Sequence, residues 1–205
     1  MIGILNLHIG NLGSISNAIY EVGFDYEILD TSGSWDHLTH LVLPGVGNFK
    51  TAMNFVNKYS LADSIHAFSD SGRPIMGICL GVQLLMGHSH EGGINSGLNL
   101  IPGQVEKLVT SDSYSVPHVG WNSVSLEKEH PVLSGIKPDR DYYFVHSYHA
   151  LCDDTTHELG KTYYGDSITT IIAKKNIIGF QFHPEKSQIN GLKIIENFCH
   201  WNGKC

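Results

Sequence analysis

A cysteine held between two glycines is the first feature with chemical meaning. Residues 74–81 read Pro-Ile-Met-Gly-Ile-Cys-Leu-Gly, so Cys79 sits in a G-x-C-x-G frame where an apolar run gives way to a helical pattern. That frame predicts a nucleophile elbow, a strand ending in a sharp turn that lifts one side chain above the sheet edge, where glycines spare the backbone a Cβ clash. A thiol suits the position, because its thiolate is reachable near neutral pH when a cation or a helix N-terminus lowers its pKa. Buried structural cysteines are commoner than reactive ones, and the bracketing glycines are what favour the elbow.

A base and its orienter follow more than a hundred residues later, where an apolar run over 177–182 closes on His183-Pro184-Glu185. If these three continue extended backbone, His183 and Glu185 project to the same side and Pro184 stops the ladder between them. A carboxylate on one imidazole nitrogen leaves the other to take a proton from a thiol, and it favours the imidazolium that in turn favours a thiolate. The expected triad is Cys79, His183 and Glu185, in a chain order different from the Ser, Asp, His order of α/β-hydrolases. A tetrahedral oxyanion needs N–H donors. Leu80, directly after the nucleophile, offers one, and the turn Gly45-Val46-Gly47 offers another. No G-K-S/T follows that turn, so a phosphate loop is not indicated.

The elements that must position these groups alternate in type. Strand patterns at 2–7, 26–29, 39–43 and 74–78 are interleaved with a helix around 15–22 and two within 50–70, and a buried helix with Val82, Leu84, Leu85 and Met86 follows the elbow. This predicts an α/β fold: an open, mostly parallel, doubly wound sheet with right-handed crossovers and ligands at the strand ends. From residue 104 the texture changes to short strands at 114–126, 142–149, 157–162 and 168–174, which predicts antiparallel additions in the C-terminal half. A last amphipathic helix is expected to turn Ile189, Leu192, Ile195, Phe198 and Cys199 inward. At 205 residues the chain should form one domain, 1–205.

Composition excludes several functions. With 13 Lys+Arg against 20 Asp+Glu the formal charge is −7, which argues against a nucleic-acid partner. Four cysteines without a C-x-x-C pair suggest reduced thiols and a cytoplasmic location. The apolar start at 1–7 is too short for a signal peptide and no run reaches spanning length, so no membrane association is expected. The 13 histidines, His88-Ser89-His90 among them, show no metal-ligand spacing, and neither a metal nor another cofactor is expected.

The elbow G-I-C-L-G-x-Q at 77–83, P-G-V-G at 44–47 and H-P-E at 183–185 together resemble class I, or triad, glutamine amidotransferases. V-P-H-V-G-W-N at 116–122, Y-F-V-H-S-Y at 143–148 and G-F-Q-F-H-P-E-K-S-Q at 179–188 resemble one branch of that family, the glutaminase subunits of imidazole glycerol phosphate synthase. The resemblance covers essentially the whole chain. It implies that Cys79 attacks the side-chain carboxamide of L-glutamine, that His183 carries the proton to the departing ammonia, and that Glu185 orients His183 before water hydrolyses the γ-glutamyl thioester. It implies an oxyanion turn at Gly45, Val46 and Gly47, glutamine recognition by Gln83, His146, Ser147 and Tyr148, and a partner interface at Asn11, Trp121 and Lys186. The implied partner is a (β/α)8-barrel synthase subunit, which takes up the ammonia in a heterodimer serving histidine biosynthesis.

Size points the same way, since a chain of 205 residues has room for a glutaminase and no second half for a phosphorylated acceptor. Hydrolysis is therefore expected to be slow alone and faster with the partner. One segment departs from the family: the first loop, usually Asp-Tyr-Gly before G-N, is here Asn6-Leu7-His8-Ile9-Gly10-Asn11. The departure leaves open a paralogue that supplies ammonia for amination of a surface-polysaccharide sugar. A stand-alone cysteine hydrolase would need no acceptor, but Gln83 and residues 117–122 argue against it. A catalytically dead binding subunit would lack a triad member, and all three are present.

Overall fold

The computed structural model describes residues 1–109 and 113–205. Its first half runs β1 (Ile2–Leu5), α1 (Leu12–Glu21), β2 (Tyr26–Leu29), β3 (His40–Leu43), α2 (Phe49–Lys58), α3 (Leu61–Asp70), β4 (Ile75–Ile78) and α4 (Leu80–Leu84). Then come β5 (His88–Ser89), β6 (Asn95–Ser96), β7 (Gly103–Lys107), β8 (His118–Leu126), β9 (Arg140–His146), β10 (Tyr148–Cys152), β11 (Glu158–Tyr163), β12 (Ser167–Lys174), β13 (Ile177–Phe180) and α5 (Gln188–His200).

Nine strands form one sheet in the order β2-β1-β3-β4-β13-β12-β11-β8-β9. The pairs from β2 through β13 are parallel and those from β13 through β9 antiparallel, as the alternating first half and strand-rich second half imply. β1, β3, β4 and β13 are buried along their whole length, the mark of a parallel sheet covered on both faces. Alternate residues feed two cores. Leu41, Leu43 and Ile75 pack with Phe49, Val56, Ile65 and Phe68 of α2 and α3, while Val42, Met76 and Ile78 pack with Ile15 and Ile19 of α1 and Ile194, Ile195 and Phe198 of α5. The sheet is thus doubly wound. Among the described residues no helix is long and apolar enough to cross a membrane.

Three expectations need correction. The run at 142–149 is two strands: β9 extends the large sheet, whereas β10 leaves it after Ser147 to pair with β7 in a second sheet, β10-β7-β5-β6. The helix after the elbow is a five-residue turn, and Met86 lies beyond it. In α5 the inward stripe is Gly191, Ile194, Ile195, Phe198 and Cys199, with Leu192 half-buried and Ile189 at 79% exposure. At 100° per residue, Ile189 stands roughly 200° from Gly191, on the far side of the helix.

The two glycines of the elbow are explained by close approach. A Cβ on Gly81 would lie 1.6 Å from the carbonyl oxygen of Leu43 on β3, and one on Gly77 would lie 2.8 Å from the backbone of Gly81. A backbone carbonyl inside a buried ladder has little room to move, so Gly81→Ala should destabilise the fold by about 3 kcal/mol or leave it insoluble. A urea midpoint equal to that of the unaltered chain would refute this account of the packing.

Candidate functional site

Four neighbouring strands deliver the site. β1, β3, β4 and β13 run parallel, so the loop at 6–11, the turn at 44–47, Cys79 and the 181–186 segment all emerge at one end of the sheet, the usual place for ligands in open α/β sheets. Cys79 has φ 53° and ψ −107°, a conformation that costs a non-glycine residue roughly 1–3 kcal/mol and is held here by the buried strand on one side and α4 on the other. Its backbone N–H donates to Phe180 O at 2.7 Å, tying the elbow to β13.

His183 and Glu185 do meet, though by a different backbone route from the one expected. β13 ends at Phe180, and Pro184–Lys186 form a 3-10 turn with His183 at its start, so curvature brings the two side chains together where strand alternation was anticipated. Pro184, which fixes φ and gives up its N–H, suits the first position of such a turn. Glu185 Oε1 accepts from His183 Nδ1 at 2.7 Å, with both side chains almost fully buried. This leaves Nε2, which is buried without a hydrogen-bond partner, directed to chemistry. Burial, the largest influence, pulls the His183 pKa down, but the nearby Cys79 sulfur and the Glu185 carboxylate more than offset it and raise it from 6.5 to about 9. The stability this raised value contributes is complete below pH 6.5 and is lost as pH rises through about 9. In this resting arrangement the Cys79 thiol donates to Val145 O at 3.6 Å.

Beside Cys79 opens a cleft of about 180 Å³, lined among others by Gly47, Gln83, Glu91, Ser147 and Tyr148. It is smaller than the 300–1,000 Å³ typical of drug-sized ligands and fits a free amino acid better than a peptide. Gln83 Nε2 donates to Tyr148 O at 2.9 Å and to Gln181 Oε1 at 3.2 Å. His146 has both ring nitrogens engaged: Nδ1 donates to Tyr148 O at 2.9 Å and Nε2 accepts from His118 Nδ1 at 3.0 Å. Burial holds His146 down at about 3 and His118 at about 4, so both are neutral. All three residues of the 146–148 segment line the cleft, and the His146 imidazole has both nitrogens already engaged within the protein.

Glu91 is a cleft residue that sequence reasoning missed. Its Oε2 accepts from Phe49 N, the first amide of α2, at 2.7 Å. That anchor lies 42 residues away in the chain, and no local pattern announces it. Asn11, assigned to a partner interface, also caps α1 by accepting from Gly13 N at 3.0 Å. It lines a small cavity of about 30 Å³ together with Val46, His183, Glu185 and Lys186. Trp121 is 49% exposed and meets Tyr143 edge-on at 6.0 Å, while Lys186 Nζ stands 5.8 Å above the same Tyr143 ring. Asn11 and Lys186 thus flank the His183–Glu185 pair, and Trp121 extends that face along β8.

The groups expected to bind an oxyanion are not assembled for that task. Leu80 N–H, expected to point at a developing negative charge, donates to Gly45 O at 3.1 Å. The turn at 44–47 lies where the sequence placed it but presents a carbonyl to the elbow, and an oxygen cannot stabilise an oxyanion. The backbone of Gly10 packs against Val46, where an added Cβ would stand 3.0 Å from the Val46 nitrogen, so the first loop and this turn are in contact.

Comparison with known proteins agrees with this geometry. Residues 4–201 match the family described as glutamine amidotransferase class-I. The chain is 45% identical over 201 residues to the imidazole glycerol phosphate synthase subunit HisH of Sulfurimonas denitrificans, and 42% identical over 198 residues to the subunit of that name from Caldanaerobacter subterraneus subsp. tengcongensis, with 97% of each chain covered in both cases. Among solved structures, PurLQS from Thermotoga maritima superposes with a TM-score of 0.76 at 15% identity over 97% of both chains, a likeness of fold alone. An α/β sheet of this order, an elbow cysteine beside a His–Glu pair, and full-length relatives of this kind place the chain in the class I glutamine amidotransferase family.

Proposed function

We propose that this chain is the glutaminase subunit of an imidazole glycerol phosphate synthase, acting over residues 1–205 as a single amidotransferase domain in the cytoplasm. The observation that carries the reading is the convergence of Cys79, on its strained turn beside a cleft sized for an amino acid, with the 2.7 Å His183–Glu185 pair. Relatives of that name at up to 45% identity support the pathway.

In this mechanism the Cys79 proton passes to His183 Nε2, and the sulfur adds to the carboxamide carbon of L-glutamine. The imidazolium, stabilised by Glu185, returns the proton to the leaving nitrogen as the C–N bond breaks, giving ammonia and a γ-glutamyl thioester. Water, activated by His183, then releases glutamate. Glu91 supplies a negative charge in the cleft for the substrate's α-ammonium, and Gln83, Ser147 and Tyr148 flank it. No metal or other cofactor takes part.

Ammonia passes to a (β/α)8-barrel synthase subunit docked on the face of Asn11, Trp121 and Lys186, in a heterodimer that completes the lyase reaction. Partner contact at Asn11 acts through Gly10 on Val46, turning the Gly45 carbonyl away from Leu80 and freeing two N–H donors. The altered first loop at 6–11 lies on this path and favours one second reading: a paralogue serving sugar amination through a related barrel.

Four outcomes are expected. With the histidine-pathway barrel, the chain should restore growth to a histidine auxotroph lacking this subunit; Cys79→Ala should abolish glutamine hydrolysis yet leave synthesis from added ammonium salt intact. Failure of the unaltered chain to complement would favour the sugar-linked reading. Glutamine turnover should rise at least about 100-fold when the barrel and its ligand are added, the effect of one oxyanion donor. Equal turnover with and without the partner would remove the basis for the inactive turn. Finally, Glu185→Gln should lower the His183 titration midpoint, read by NMR, from its value near 9 and cut kcat roughly 100-fold.

A further inference from the structure

We propose that Gln181 is a further catalytic residue, its side-chain amide donating a hydrogen bond to the Cys79 thiolate; this rests on the reading of Cys79 as the nucleophile. The register of the two central strands sets the contact. Ile78 on β4 stands opposite Phe180 on β13, so the residues that follow, Cys79 and Gln181, leave the sheet side by side. Gln181 is 1% exposed, and its Nε2 lies 3.9 Å from Cys79 Sγ.

Which end of the amide faces the sulfur follows from a backbone atom. Tyr148 O is a carbonyl and can only accept, so Gln83 must turn its nitrogen toward it at 2.9 Å. The same nitrogen lies 3.2 Å from the Gln181 side chain, which must therefore present its oxygen there and its nitrogen to Cys79. Reversing Gln181 would bring two NH₂ groups together in a buried site and set a carbonyl oxygen against the sulfur. The second lone pair of Tyr148 O is occupied by His146 Nδ1, and His118 and Asn122 continue that branch to the surface. A donor chain anchored at both ends holds the Gln181 amide in one orientation.

The nucleophile needs such a donor. While protonated, Sγ donates to Val145 O at 3.6 Å; once its proton has moved to His183 Nε2, that oxygen opposes the negative sulfur. Cys79 is 4% exposed, so water cannot supply the missing hydrogen bonds, and the Gln181 N–H, on an adjacent strand end, takes that place.

The test is alkylation of Cys79 by iodoacetamide as a function of pH in the full chain, read on the Cys79 peptide by mass spectrometry, beside glutamine kinetics with the barrel partner. Gln181→Met keeps the length and removes the donor; the alkylation midpoint should rise by about one pH unit and kcat fall about 10-fold, with KM within about twofold. Gln181→Asn, which keeps an amide but withdraws it by one methylene, should shift the midpoint in the same direction and serves if the Met variant does not fold. A midpoint and kcat that stay put in a variant with wild-type melting overturn the proposal. Because alkylation needs no glutamine, a chain that failed to hydrolyse glutamine would still report whether Gln181 holds the thiolate.

Discussion

The site depends above all on the parallel pairing of β4 with β13. Ile78 aligned with Phe180 puts the elbow and the 181–186 segment on adjacent strand ends, and the 2.7 Å bond from Cys79 N to Phe180 O locks Cys79 into that alignment. Side chains on a strand alternate, so a slip of one residue would send Cys79 and Gln181 to opposite faces. Burial on both sides of these strands makes such a slip costly, because each would carry its apolar residues out of one of two cores. The strained backbone of Cys79 persists for the same reason: β3 and α4 touch at Leu43 and Gly81, and the turn has nowhere to relax.

Around Cys79, polar groups are buried in a fixed sequence of donors and acceptors. Tyr148 O accepts from two sides, and the side chains of Gln83, Gln181, His146 and His118 take their orientations from it. Unpaired polar groups are expensive in such surroundings, so each member constrains the next. The two histidines stay neutral because their burial offers no anion to a proton, whereas His183, with Glu185 at 2.7 Å, goes the other way. One protein region thus contains imidazoles with opposite tendencies, and the Cys79 sulfur together with the Glu185 carboxylate makes the difference.

The resting oxyanion region completes the picture. On the proposed mechanism, a single peptide orientation, with Gly45 O toward Leu80 N, separates this arrangement from one able to stabilise charge on the substrate. A glycine-bounded turn can rotate that peptide without moving a strand, which is what the proposed activation by a partner at the sheet's end requires.

Much of this was legible in the residues. The G-x-C-x-G frame, H-P-E and the alternating elements gave the parallel sheet, the elbow and the residues gathered at its end, because close packing of Gly81 on Leu43 and burial of whole strands restrict which residue types can stand there. Local patterns failed where the outcome depended on distant partners: β10 leaves the large sheet because β7 is there to receive it, Ile189 faces outward because Gly191 and Ile194 fill the inner stripe, and Glu91 reaches the cleft through the first amide of α2. The sequence alone determined the chemical groups and the strand ends that bear them. Only the tertiary structure decided the 3-10 turn that joins His183 to Glu185, the amide facing Cys79 and the carbonyl occupying Leu80, because hydrogen-bond direction is set by the partner across space and not by the neighbour along the chain.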